Sequence, residues 1–256
     1  MSPTTVSFFA LPGIPLVEPG DDLATILAGA LRKSGLGLQD GDVLVVTQKI
    51  VSKAEGRYIE LGEVEPSQKA VDIAQRIGED ARRVEVVLSE SDEIVKLGPH
   101  LIIAAHKLGF VMANAGIDES NISHGQGAGR VLLLPRDPDG SAAALKGRLD
   151  TAFGVSAAVL INDSFGRPWR NGVVGVALGA AGLPSLVNRV GTRDLFGRAL
   201  RGTEIAVADE LASAASLIMG QAAEGLPAVL ARGLRFDTPA RPATTLVRNR
   251  ERDLFR

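Results

Sequence analysis

Hydrophobic positions along this chain fall into short runs and helical stripes, and each is cut off by a cluster of polar or glycine residues. Residues 6–10 read as a first strand, followed by a turn at 11–15. Asp21-Asp22 stands where an N-cap belongs, ahead of Leu23, Ile26, Leu27, Ala30 and Leu31 at helical spacing, and Gly35 and Gly37 end that helix. Residues 43–46 form an uninterrupted apolar run suited to a buried strand. Ser67 opens a second helix through Val71, Ile73, Ala74 and Ile77, residues 84–88 are strand-like, and 91–97 follow a helical pattern. Two strands are expected at 101–105 and 109–113, joined near His106-Lys107, with another at 131–134. Asp139 or Ser141 is placed to cap a helix over 142–153. Helices are expected over 194–200 and 203–219, and a last strand over 227–230. From residue 237 onward, prolines and arginines predict a poorly ordered tail. The elements do not alternate strictly and no repeat is present, so the class is α+β or mixed α/β.

The richest stretch is 155–182. An apolar run, Ala157 to Ile161, breaks into Asn162-Asp163-Ser164, then Gly166, Arg167, Pro168, the sole tryptophan Trp169 and Arg170, before a glycine-rich apolar run over 173–182. Polar chemistry pressed between two segments that favour burial is how a rigid scaffold presents a site at a strand end. A tight turn capped by Asp163 explains the same residues equally well. A second candidate follows the run at 43–46, where Gln48, Lys49, Ser52, Lys53, Glu55 and Arg57 crowd together; a solvated strand exit is the bland alternative. Asp118 with Asn121, and Gln221 with Glu224, repeat the form of a buried element ending in acidic or amide side chains.

Composition narrows what these clusters could do. The 256 residues can bury a substantial core, and a formal charge of −2 gives no general pull toward nucleic acid or membrane. There is no cysteine, so disulfides and thiolate ligands are excluded. The N-terminal residues lack the form of a signal peptide and no run suits a membrane span, so a cytoplasmic protein is expected. The three histidines stand outside the polar breaks. Oxygen donors without His or Cys favour a hard cation, Mg²⁺ or Mn²⁺, and hard cations beside lysines and arginines point toward phosphate chemistry. The glycine-rich stretch at 124–129 lacks the helix-opening Gly-Lys-Ser/Thr of a phosphate loop.

Six segments in order, spanning nearly the whole chain to about residue 236, are similar to the coenzyme F420-0:γ-glutamyl ligase family. They are Leu11-Pro12-Gly13-Ile14-Pro15, the run from Thr47 to Arg57, the run from Asn114 to Asn121, the run from Leu132 to Asp139, the run from Asn162 to Arg170, and Ala208-Asp209-Glu210-Leu211-Ala212 with Met219-Gly220-Gln221. The resemblance implies a two-domain, mostly antiparallel α+β fold over residues 1–236, ahead of the tail at 237–256, in a homodimer. It implies a GTP-dependent amide ligase: GTP phosphorylates the terminal carboxylate of F420-0, the amine of L-glutamate attacks the acyl phosphate, and further glutamates are added through γ-linkages.

On that resemblance, Asp118, Asp163, Ser164 and Gln221 would hold two divalent ions, Mg²⁺ or Mn²⁺, with K⁺ as a further ion. Leu11, Pro12, Gly13, Ile14, Gln48, Lys49, Lys53, Asn121, Met219 and Gly220 would bind GTP. Asp118, Asp163 and Lys53 would act in catalysis, and Arg167 and Arg170 are suited to clamp an anionic substrate bidentately. Two departures stand out: Ser164 replaces a common threonine, and the neutral Asn188 stands where the family commonly has an acid. A fused flavin-binding domain is not expected after residue 236. Two other functions fit part of the pattern, an acyl-phosphate amide ligase acting on another acid-bearing metabolite and a non-catalytic guanine-nucleotide-binding protein. Neither nucleic acid nor membrane is an expected partner.

Overall fold

The computed structural model describes residues 5–123 and 129–253. In chain order the elements are β1 (Ser7–Ala10), α1 (Leu23–Lys33), β2 (Val43–Thr47), α2 (Gln48–Ala54), β3 (Tyr58–Glu60), α3 (Gln68–Ile77), α4 (Ala81–Ser89), β4 (Ser91–Gly98), β5 (Leu101–His106), β6 (Val111–Ala113) and β7 (Arg130–Leu132). They continue as α5 (Pro138–Phe153), β8 (Ala158–Arg167), β9 (Arg170–Ala181), β10 (Val187–Asn188), β11 (Glu204–Ile205), α6 (Val207–Met219) and β12 (Ala228–Arg232).

The centre is a five-stranded sheet in the order β1-β12-β2-β8-β9, antiparallel throughout except for the parallel pair β2–β8. Residues 43–46 are fully buried on both faces, as expected of a central strand covered on each side. Period-two geometry divides them. Leu44 and Val46, with Val159 and Ile161 of β8, pack toward Leu27 and Leu31 of α1 and Leu145 and Leu149 of α5. Val43 and Val45, with Leu160, pack toward Leu211, Ala212 and Ala215 of α6. Each such large side chain contributes about 1.5–3 kcal/mol on burial.

A separate apolar cluster holds the second unit together: Ile73, Ile77, Val84 and Val87 of α3 and α4 against Ile102 and Ala104 of the antiparallel sheet β4-β5-β6. The α+β class and mostly antiparallel pairing expected from the sequence are therefore present.

Several local expectations fail for identifiable reasons. Residues 84–88 are helical, because Val84 and Val87 lie one turn apart and face α3; the β-branched content suggested a strand, and packing overrides propensity there. Residues 91–97 form β4, whose two register irregularities against β5 blur the alternation that would have marked a strand. Residues 194–200 form no helix. The Asp194 carboxylate accepts the N–H groups of Phe196 and Arg198, an alternative to helical bonding that short acidic side chains offer.

Asp137, not Asp139 or Ser141, caps α5, with Pro138 at the first helical position. Asp139 instead accepts from the N–H groups of Ala180, Ala243 and Thr244. That carboxylate ties down the tail, which is ordered rather than loose through residue 253. Ala243 is fully buried and Arg241 bonds Leu183 and Ser185.

Candidate active site

The sheet topology assembles the site. Because β2 and β8 are parallel, with Thr47 beside Asn162, the residues that follow β2 lie next to Asn162-Asp163-Ser164. Strand β12 is antiparallel to β2, and the Thr47 N–H bonds the Pro227 carbonyl, so the loop after α6 reaches the same edge. Asp118 arrives by another route. It bridges Leu132 of β7, β7 pairs with β3, and β3 follows α2 after a short turn. The four segments line one cleft of about 600 Å³, a size suited to a small-molecule site.

One wall is α2 with the Asp118–Asn121 segment. Gln48, Ser52 and Lys53 are buried, so the residues after β2 are a helix turned inward rather than a solvated strand exit. Gln48 Nε2 donates to Asp118 Oδ2 at 2.8 Å, and Gln48 Oε1 accepts from the Ser52 hydroxyl at 2.8 Å. Lys49 Nζ lies 3.3 Å from Asp118 Oδ1 and donates to the Ser120 carbonyl at 2.8 Å. Lys53 Nζ donates to the Asn121 carbonyl at 2.7 Å. Asn121 in turn donates from Nδ2 to the Ala222 carbonyl at 2.7 Å, joining this wall to the loop after α6. Burial, reinforced by the charge of Lys49, lowers the Lys53 pKa below the ordinary lysine value. Burial also raises the Asp118 pKa, against the opposing pull of Lys49 and Gln48.

The facing wall is the β8 segment. Asn162, Asp163 and Ser164 lie within the strand, not after its end, and β8 and β9 continue to a two-residue turn at Pro168-Trp169. A register irregularity between Ile161 and Asn162 sets the polar segment off from the apolar run. Asp163 faces the cleft but is enclosed by protein elsewhere, and its Oδ1 accepts the Ser164 N–H at 2.8 Å. Desolvation, and then the neighbouring charge of Asp118, push its pKa up to about 7. Asn162 is 4% exposed, and among the described residues its Oδ1 has no hydrogen-bond partner.

Gly220 closes α6 at φ 76° and ψ −178°, a conformation open essentially to glycine alone. The Glu224 side chain folds over it and accepts the Ala222 N–H at 2.8 Å.

The cleft gathers most of the expected site: Ile14, Gln48, Lys49, Lys53, Asp118, Asn121, Asp163, Ser164, Met219, Gly220 and Gln221. Leu11 lies elsewhere. It is fully buried and its N–H extends the ladder to Ala228, while Pro12 and Gly13 do not line the cleft. The lining begins at Ile14 and runs through Pro15, Leu16, Val17 and Glu18. Arg167 and Arg170 sit at the tip of the β8–β9 hairpin, outside the lining, and the buried Arg167 Nε has no partner among the described residues. Asn188 is exposed on β10 and accepts the Val190 N–H. The glycine-rich stretch at 124–129 falls almost wholly outside the described residues.

Some conspicuous motif residues hold the fold instead. Glu55 accepts from the Arg136 N–H and the Ser141 hydroxyl, Arg57 bonds Leu134 and Glu90, and Asp209 accepts the Ala177 N–H. Sequence reasoning placed Asn162 in the polar break without giving it a role, and missed Tyr58 and Glu18 as cleft residues. Asn162 could have been placed in the cleft from its register beside Thr47, had the parallel pairing been known.

Among the described residues, no group of three or more histidines and carboxylates forms a cation site. The available donors are two carboxylates with amide and hydroxyl oxygens, one of them unpartnered, which suits a hard cation.

Residues 13–233 match the family described as F420-0:gamma-glutamyl ligase. The coenzyme F420:L-glutamate ligase of Methanothermobacter thermautotrophicus is 50% identical over 256 residues, covering 98% of this chain and 99% of that protein. Its namesake in Methanopyrus kandleri is 50% identical, covering 94% and 93%, and that of Archaeoglobus fulgidus is 45% identical, covering 90% and 88%.

Proposed function

Because the chain belongs to the F420-0:gamma-glutamyl ligase family, a family of amide-forming ligases, we propose that it joins L-glutamate to coenzyme F420-0 at the expense of GTP. The observation that carries this reading is the convergence of Asp118 and Asp163 with Gln48, Lys49 and Lys53 in one cleft. Activating a carboxylate means bringing two anions together, and that requires cationic groups at a desolvated spot.

In the first step a carboxylate oxygen of F420-0 attacks the γ-phosphorus of GTP. The bond to the bridging oxygen breaks and GDP leaves. In the second, the amine of L-glutamate attacks the acyl carbon, phosphate departs, and the nitrogen gives up its proton to water. Repetition on the new γ-carboxylate adds further glutamates.

Lys53 and Lys49 would face the phosphates. Lys53 is buried and committed to one carbonyl, so its remaining N–H donors are available to an oxyanion. The Ile14–Glu18 segment and the loop at 219–227 would enclose the nucleoside. Asp118, Asp163, Ser164 and Gln221 would hold divalent ions, whose chemistry is to neutralise charge on the transferred phosphoryl group. Lying outside the cleft, Arg167 and Arg170 would meet an acceptor that extends along the hairpin, or the second subunit of a homodimer. Membrane attachment is not part of this reading, and no helix among the described residues is long and apolar enough to span a bilayer.

The test is incubation of the purified protein with GTP, Mn²⁺, F420-0 and L-glutamate, followed by mass spectrometry. Products heavier by successive glutamyl units are expected. Absence of such products from folded protein that turns over GTP with another acid would transfer the chemistry to a different acceptor. Binding of GTP without turnover on any acid would make the chain a nucleotide-binding protein.

A further inference from the structure

We infer that Asn162 is a further oxygen donor to the divalent-ion site, in addition to Asp118, Asp163, Ser164 and Gln221. The inference rests on the metal-dependent reading above. It starts from a polar group that the protein leaves unsatisfied. Asn162 is 4% exposed, lines the cleft, and has an Oδ1 without a hydrogen-bond partner among the described residues. Leaving a buried acceptor unpaired forfeits its hydration without return, so such an atom in a cleft calls for a partner that arrives with the ligand.

The local backbone does not supply one. Across the ladder, the Ala177 N–H is committed to Asp209 Oδ1 at 2.9 Å. On the parallel side, the Thr47 N–H is committed to the Pro227 carbonyl. The Ser164 N–H is taken by Asp163. The amide's neighbour in sequence, Asp163, lines the same cleft.

A carboxamide oxygen suits this position. Two carboxylates already repel each other here, and an amide adds an oxygen without adding charge. Hard cations accept amide oxygens readily. Rotation about the terminal torsion, which is soft and roughly twofold, exchanges the amide's oxygen and nitrogen without moving the backbone. The oxygen can therefore be delivered to the cleft from its buried position.

The experiment titrates metal-free protein with Mn²⁺ alone and follows free ion by electron paramagnetic resonance, without nucleotide or acceptor. The wild type should bind Mn²⁺, and Asp163→Asn should abolish the binding. Asn162→Ala should weaken it by roughly tenfold or more, the scale on which lost supporting groups lower metal affinity. Asn162→Asp should retain binding and alter the spectrum of the bound Mn²⁺. Melting in chelator shows that each variant folds. If Asn162→Ala does not fold, Asn162→Asp decides, because a carboxylate at a donor position must change the Mn²⁺ spectrum. Unchanged affinity in folded Asn162→Ala, with Asp163→Asn still abolishing binding, overturns the role of Asn162 and leaves the metal site intact. No Mn²⁺ binding by the wild type overturns both.

Discussion

The two walls of the cleft are built on opposite electrostatic plans. On the wall of α2 and the Asp118 segment nearly every polar group is answered within the protein: Asp118 by Gln48 and Lys49, Ser52 by Gln48, Lys53 by Asn121. On the β8 wall, Asp163 has one neighbouring N–H and Asn162 Oδ1 has no partner among the described residues. Both carboxylates are disfavoured by burial, but only that of Asp163 is pushed up to about 7. The side chains of the first wall are held to one another as folded, so its shape is set before any ligand arrives. The second is left in deficit, and a cation is what would complete it.

The sharpest way to break this contrast is to neutralise each acid in turn. Asp163→Asn should lower ligase turnover by about 10³-fold or more, a loss on the scale of removing a group that stabilises charge in the transition state. It should also raise the melting temperature of the metal-free protein, since the variant no longer buries a poorly solvated charge. An active variant, or a less stable one in chelator, would show that the β8 wall is not in deficit.

Asp118→Asn should cost less, about 10²-fold in turnover, and leave the metal-free melting temperature nearly unchanged. Relief of desolvation is offset there by the loss of Lys49's partner. Equal stabilisation by the two substitutions in differential scanning calorimetry would erase the distinction between the walls. Lys53→Met comes next, because it removes one donor and leaves the walls standing. About a tenfold rise in the KM for GTP, with a smaller change in kcat, is expected from a group that contributes mainly to binding.

How much of this was legible in the sequence depends on the range of the interaction responsible. Caps and central strands were readable because their signals are local: Asp22 and Ser67 cap the helices they were expected to cap, and residues 43–46 are buried. The exchange of helix and strand over 84–97 came from tertiary choices, namely the face that Val84 and Val87 turn to α3 and the irregular pairing of β4 with β5. The candidate acids were legible as types, but their partnership came from the family resemblance and not from any local pattern. Asp118 and Asp163 meet only through the β3–β7 pair and the parallel register of β2 with β8. Leu11 lies outside the cleft for a related reason. The same Leu-Pro-Gly-Ile run serves as ladder at one end and cleft at the other, and no local pattern marks where one becomes the other.

The last effect expected is a pH dependence that belongs to the β8 wall alone. In the unfolded chain Asp163 should lose its proton near the ordinary carboxylate value of 3.8, whereas in the metal-free fold it holds that proton to about 7. Between those limits the folded state carries a proton that the unfolded state has released. The contribution of Asp163 to stability is therefore fully present below 3.8 and declines as pH rises through the window, levelling off above about 7. Many groups titrate over this range, so the informative quantity is the melting temperature of the wild type minus that of Asp163→Asn, measured in chelator. That difference should become more negative from pH 4 to pH 7.5 by roughly 10 °C, at about 1.4 kcal/mol per pKa unit and about 2–4 °C for each kcal/mol in a chain of this size. Mn²⁺ should reverse the trend, because a cation binds the deprotonated carboxylate and its stabilisation grows as the competing proton leaves. Parallel curves in chelator would mean that Asp163 ionises in the fold as freely as in the open chain, and the contrast between the walls would then be one of shape alone.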